Sequence, residues 1–261
     1  MSPSGSEPES LAEGTLISHL LELRTRLLHT AVAVVIAFVP LAFMSNQLFT
    51  LIAKPLIEKL PEGTSIIATS VVAPFMTPLK LSLIAAIFVA MPYILYQAWA
   101  FVAPGLYRHE KRFALPLFVS SVVLFYVGVA FAYYVVFPLM FTFLTATAPE
   151  GVRMMTDMAN YLDFALLLFF AFGIAFEMPV ATVLLVATGL VKVESLRKHR
   201  GYVLLGIFVV AAFLTPPDAI SQTFMAVPMY VLYELGIVLS QFLTRRRTTD
   251  RAAADTAQSG D

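Results

Sequence analysis

Six blocks of nearly uninterrupted apolar residues divide this chain, at 27–44, 81–103, 113–137, 162–188, 202–214 and 219–239. A helix needs about 20 apolar residues to cross roughly 30 Å of hydrocarbon, so four of the six meet that length outright and the first nearly does. Hydrophobic side chains make up 59% of the sequence and charged ones 13%, against about 25% charged in soluble domains. These features predict an all-α integral membrane bundle.

The fifth block has only 13 residues, which at about 1.5 Å each reach ~20 Å. It is either a re-entrant segment or a true crossing extended through 196–200, with Arg197, Lys198 and Arg200 reaching the surface. Loop charge separates the two, because cytoplasmic loops are enriched in Lys and Arg. Segments 1–26, 104–112, 189–201 and 240–261 hold 13 of the 17 basic residues. That asymmetry predicts six crossings with both termini in the cytoplasm.

The first 26 residues do not read as a signal peptide, since Glu7, Glu9 and Glu13 precede any basic residue or apolar core. A disordered tip over 1–14 is expected before a short interfacial helix. Ser10 and Glu13 have capping-box spacing, and Leu16, Leu20, Leu23 and Leu27 recur at helical intervals. On the outer side, 45–80 contains an amphipathic stretch broken at Pro55 and a β-branched run over 66–72, predicting a loop that caps the surface. Pro216 and Pro217 stop a helix and Asp218 can cap the next, predicting a tight hairpin of spans five and six with local membrane thinning.

Polar residues inside apolar blocks carry the most information. A carboxylate at mid-bilayer costs about 2.5–3.5 kcal/mol, so Glu177 is neutral, paired or facing a polar cavity, with Pro179 beside it as a kink site. Glu234 lies nearer the cytoplasmic end and reads as interfacial. Gln222 is a candidate interhelical hydrogen bond. Gln97 and Trp99 read as belt residues.

On the basic face, Glu22 and Glu110 are acidic exceptions. Each has a local partner: Arg26 one turn after Glu22, and Arg108 or Lys111 beside Glu110. If folding brings the two carboxylates together, they can instead bind a pair of guanidinium groups. No zinc motif, G-x-S-x-G, Walker loop or Gly-rich dinucleotide turn occurs, and there is no cysteine, so neither an enzyme nor a metal or other cofactor is expected. His19, His29, His109 and His199 all fall near the basic face. The zero formal charge argues against nucleic-acid binding.

Five separated motifs resemble those of TatC, the multispanning receptor family of the twin-arginine protein translocase. They are the run HLLELRTRL from His19 to Leu27, WAFVAPGLY from Trp99 to Tyr107, RHEKR from Arg108 to Arg112, FGIAFEMP from Phe172 to Pro179, and LTPPD from Leu214 to Asp218. The likeness covers roughly 15–243, leaving 244–261 as a polar cytoplasmic tail; Gly105 after Pro104 is a minor departure. It implies a cupped six-helix bundle in a bacterial inner membrane that binds the Arg-Arg pair of signal peptides on folded cargo. Export would then proceed with the single-span proteins TatA and TatB, driven by the proton-motive force, in a complex that includes self-association and lipid contact. By resemblance Glu22 and Glu110 contact the twin arginines, with Arg24, Phe101 and Arg112 around the same site. Glu177 matches a buried glutamate on the concave face, and Pro55, Tyr133, Gly151 and Asp218 match positions that set shape. Span five and the Gln222 side of span six match a docking edge for TatA or TatB. The alternative is a secondary transporter or proton-coupled channel using Glu177.

Overall fold

A computed structural model describes residues 7–57, 66–102, 111–147, 155–215 and 218–258. The described chain is almost wholly helical. In order come α1 (Glu7–Phe43), α2 (Ser45–Ile57), α3 (Ala73–Val102), α4 (Lys111–Phe131), a π-helical turn (Ala132–Val136) and α5 (Phe137–Ala146). Then follow α6 (Met158–Ala175), α7 (Met178–Ala187), α8 (Val193–Lys198), α9 (Arg200–Leu214) and α10 (Ala219–Gln258).

Five stretches are long and apolar enough to cross a bilayer: Leu20–Phe43, Ala73–Phe101, Leu115–Phe143, Met158–Ala187 and Ala219–Phe242. The sixth, α9, has 15 residues and spans about 22 Å. The expected extension through 196–200 takes a different form. α8 and α9 are separate helices joined at His199 (φ −97°, ψ 14°). The amphipathic N-terminal segment is likewise not set off from span one, because α1 runs unbroken through both.

Span one is peripheral. None of its apolar window is buried in the protein, and it packs chiefly on α3. Polar contacts hold it at two heights. Near one end the Ser82 hydroxyl donates to Leu41 O at 3.0 Å, and near the other Arg26 reaches α3. Spans three, four and six form the interior, where Phe125, Phe137, Leu162, Leu168, Phe172 and Met225 are fully buried. Spans three and four cross at Gly128, where a Cβ would lie 2.5 Å from the Phe172 carbonyl oxygen, so only glycine allows that approach.

The rim opposite the basic loops is fastened by backbone pairing; residues 58–65 of the expected capping loop lie outside the described residues. Ile67 pairs in parallel with Asp157, its N–H donating to Thr156 O at 3.0 Å and its carbonyl accepting from Met158 N at 2.8 Å. Asp157 caps α6 through Oδ1 to the Ala159 and Asn160 amides, and its Oδ2 accepts from the Thr69 amide at 3.0 Å and hydroxyl at 2.6 Å. These bonds hold its carboxyl down at about 2, the Thr69 hydroxyl contributing most.

Pro55 does not break α2. Having no N–H, it cannot donate to Leu51 O one turn earlier. The Tyr133 hydroxyl, from the π-helical turn, donates to that carbonyl at 3.0 Å, and Tyr161 donates to the neighbouring Ile52 O at 2.9 Å. Two tyrosines thereby fasten α2 onto spans three and four. Tyr161 itself packs edge-on to Phe137, ring centroids 5.4 Å apart.

Candidate functional site at the basic rim

Glu22 and Arg26 stand one helical turn apart on α1, where the polar face of the amphipathic pattern continues into span one. Arg26 Nε and Nη2 both donate to Glu22 Oε1, at 3.0 and 2.5 Å. The same guanidinium donates through Nη1 to Gln97 Oε1 and through Nη2 to the Ala100 carbonyl, each at 3.1 Å. Gln97 in turn donates its amide to the Tyr93 hydroxyl at 2.8 Å, which turns its carbonyl oxygen toward Arg26. One cation thus bridges the start of span one and the end of span two.

The belt reading of Gln97 is corrected: the side chain is buried and bonded at both ends, because Arg26 supplies a donor that would otherwise lack acceptors between the helices. Its one sequence signal was an amide within an apolar block, one turn after a tyrosine. Phe101 is half-buried directly after Ala100, and Arg24 is exposed on α1. Arg112 lies in the first turn of α4. Glu110 and Gly151 fall outside the described residues, so the expected meeting of Glu22 with Glu110 does as well. Chemically, the described part is a carboxylate on a half-exposed rim, already engaged by a guanidinium.

Glu177 occupies a second polar position. Span four is broken there rather than kinked: Glu177 N bonds to Ile174 O at 3.0 Å, a tighter turn than α, and α7 restarts with Pro179 in its first turn, where its missing N–H does no harm. The Ser121 hydroxyl of α4 donates to Glu177 Oε2, while Oε1 is buried with no hydrogen-bond partner among the described residues. A cavity of about 210 Å³ adjoins the pair, lined mainly by apolar side chains including Leu95, Trp99 and Leu184. Trp99 is therefore a cavity wall. Ser121 went unnoticed in the sequence, where a Ser-Ser pair in an apolar block carries no mark of its partner.

The remaining polar residues serve span ends. Glu234 accepts from Arg200 Nη2 at 2.6 Å and from the Tyr230 hydroxyl at 3.0 Å, tying α9 to α10 near the basic rim. Asp218 Oδ1 accepts from Ser221 N at 2.6 Å as the cap of α10, and that backbone N–H holds its carboxyl below the usual range. Gln222, in the first turn of α10, is half-buried. A larger apolar groove of about 610 Å³ runs between span four, α9 and α10, lined by residues such as Phe170, Ile174, Gly206, Ile207 and Met229.

Comparisons agree with this architecture. A family model described as Sec-independent protein translocase protein (TatC) matches residues 18–228. The chain is 52% identical to the Sec-independent protein translocase protein TatC of Azotobacter chroococcum, over 96% of this chain and 97% of that one. It is 54% identical to that of Escherichia coli strain K12, over 87% and 88% respectively. A crystal structure of the twin-arginine translocase receptor TatC superposes with a TM-score of 0.78 at 36% identity, covering 87% of this chain and 99% of the other. Matched along most of its length in sequence and in fold, the chain belongs to the TatC family, and it is a multi-pass membrane protein.

Proposed function

We propose that this protein is the cargo-receptor subunit of a Sec-independent translocase, binding the Arg-Arg pair of signal peptides on folded precursors at its basic rim. The observation that carries the reading is the Glu22 carboxylate, held at 2.5 Å by a guanidinium of its own chain. A position that accepts one arginine has the geometry to accept another. Glu22 and Glu110 are the arginine ligands, with Arg24, Phe101 and Arg112 around them. Each charge-assisted contact contributes about 1.5–3 kcal/mol, which suits a reversible first encounter. The signal's apolar stretch then lies along the bundle, with Glu177 as a polar landmark.

In this reading the basic rim faces the cytoplasm of a bacterial inner membrane, with both termini on that side. Residues 15–243 form the membrane domain, between a short tip and a polar tail. TatA- and TatB-type single-span proteins and further copies of the receptor complete the complex, which spends the proton-motive force and performs no covalent chemistry.

Two measurements test it. The detergent-solubilised protein should co-purify with a labelled signal peptide carrying Arg-Arg and lose it when the pair is Lys-Lys. Charge reversal at Glu22 and Glu110 should abolish crosslinking to a twin-arginine precursor while leaving the protein inserted; unchanged crosslinking contradicts the site. The buried Oε1 of Glu177, without a hydrogen-bond partner among the described residues, favours a second reading, a proton-coupled transporter. That reading requires flux in liposomes holding this protein alone, lost on Glu177→Gln, where the receptor shows none.

A further inference from the structure

The resting protein already holds a guanidinium where a cargo arginine is proposed to bind. Arg26 places two N–H groups on the one oxygen Glu22 Oε1, and two further contacts on span two, Gln97 Oε1 and Ala100 O. Its side chain keeps about 22% of its exposure and that of Glu22 about 37%, so the pair is neither sealed nor free. The acceptors on span two are neutral, and the one on span one is a carboxylate. A neutral acceptor holds a guanidinium less strongly than a carboxylate does, so Arg26 rests mainly on Glu22 while already touching a second seat on span two. That seat is built: the Tyr93–Gln97 bond aims the amide oxygen, and the Ala100 carbonyl lies at the end of α3 beyond the reach of intrahelical donors.

We propose that Arg26 is an internal ligand of Glu22 which an arginine of the signal peptide displaces, and that Gln97 and the Ala100 carbonyl, which already touch Arg26, retain it during the exchange. This rests on the reading of Glu22 as a cargo-arginine ligand. The exchange keeps Glu22 paired with a guanidinium throughout and leaves Arg26 hydrogen-bonded to the neutral acceptors of span two. It also predicts discrimination against lysine. An ammonium lacks the planar fork that places two N–H groups of one side chain on Glu22, and so fails to dislodge Arg26.

The sign of the effect separates an internal ligand from a side chain that merely positions Glu22. The full-length protein in nanodiscs is titrated with fluorescent synthetic peptides bearing Arg-Arg or Lys-Lys before an apolar stretch. Arg26→Gln should bind the Arg-Arg peptide about fivefold more tightly and discriminate less against Lys-Lys, as expected when a competitor of hydrogen-bond strength is removed. Gln97→Glu, which gives Arg26 a carboxylate of its own on span two, should also tighten binding, and Gln97→Met should weaken it. Unchanged or weaker binding by Arg26→Gln overturns the exchange and leaves Arg26 a positioning residue. If that variant does not fold, Gln97→Glu decides alone, and affinity at or below the parent's overturns the proposal. Glu22→Gln keeps the two ideas apart: if it binds as the parent does, the site itself is wrong, whereas its loss of binding beside a failed Gln97→Glu sinks only the exchange.

Discussion

The two rims of this protein are fastened by different kinds of bond. At the capped rim, the contacts run through the backbone: Ile67 and Asp157 share a ladder, the Asp157 carboxylate takes three amides and a hydroxyl, and two tyrosines hold carbonyls of α2. At the basic rim most start from long side chains, Arg26 to Glu22, Gln97 and the Ala100 carbonyl, and Arg200 to Glu234. Backbone bonds cannot be traded without unfolding a segment, while a guanidinium can change partners by rotating its own side chain. One rim is made to stay and the other to exchange, which is the division expected of a receptor that must release what it binds.

Charge reversal at Glu22 tests that division most severely. Glu22→Arg should cost about 100-fold in affinity for an Arg-Arg peptide, since it replaces attraction with a like charge at the contact. Thermal stability should shift by less than about 1 kcal/mol, because a partly exposed i,i+4 pair contributes little to folding. Titration and a melting curve on the same preparation check both halves. A large loss of stability would mean that the basic rim is as structural as the opposite one.

A change between the rims should do the reverse. Gly128→Val puts side-chain carbon against the Phe172 carbonyl oxygen and the Phe176 ring, where a Cβ alone would stand 2.5 and 2.9 Å away. Forcing spans three and four apart should cost about 1–3 kcal/mol. Detergent-resistant melting measures it, and peptide affinity of the folded fraction should remain near that of the parent.

The sequence made the spans legible because membrane burial is written in long apolar blocks, and the observed helices overlap all six. Span ends were less legible. α3 begins at Ala73 rather than near 81, since Lys80 pairs with Asp163 at the surface instead of ending the helix. The merging of the interfacial segment with span one was hidden because a leucine repeat looks the same lying on a membrane or entering it. At the candidate site, the pairing of Glu22 with Arg26 could be read from spacing alone. Gln97 could not, because its partner lies 71 residues away, and the bond exists only once spans one and two pack. The same holds for Ser121 with Glu177 and Arg200 with Glu234.

A smaller effect sharpens the contrast from the capped rim. Tyr133→Phe removes the only atom of that side chain able to donate to Leu51 O, whose usual helical donor is missing at Pro55. A carbonyl left without its donor costs about 1 kcal/mol or somewhat more. The loss should appear as faster amide exchange in α2 with no change at Arg26. Replacing Pro55 by Ala in the same variant should recover part of it, because residue 55 then regains the N–H that the tyrosine had stood in for. No recovery would mean that Tyr133 holds α2 by packing.

The smallest expected effect is one of pH, and it is read at the capped rim. Asp157, just ahead of span four, has its carboxyl lowered from 3.8 to about 2 by the Thr69 hydroxyl, the Asn160 and Thr69 amides and the Ala159 amide. A carboxyl lowered on folding stabilises the folded state fully above its unfolded value, and that contribution disappears as pH falls through the folded value. The bridge between Ile67 and Asp157 should therefore hold at pH 5 and loosen between about pH 4 and pH 2. Asp157→Asn, with no charge to lose, should start weaker at pH 5 and stay level across that interval. Exchange of the Ile67 and Met158 amides, both bonded in the bridge, reports the opening directly. If parent and variant loosen in parallel as the acid is added, the carboxylate is not what fastens this rim, and the contrast with the exchangeable rim would have to rest on the tyrosines and the backbone ladder.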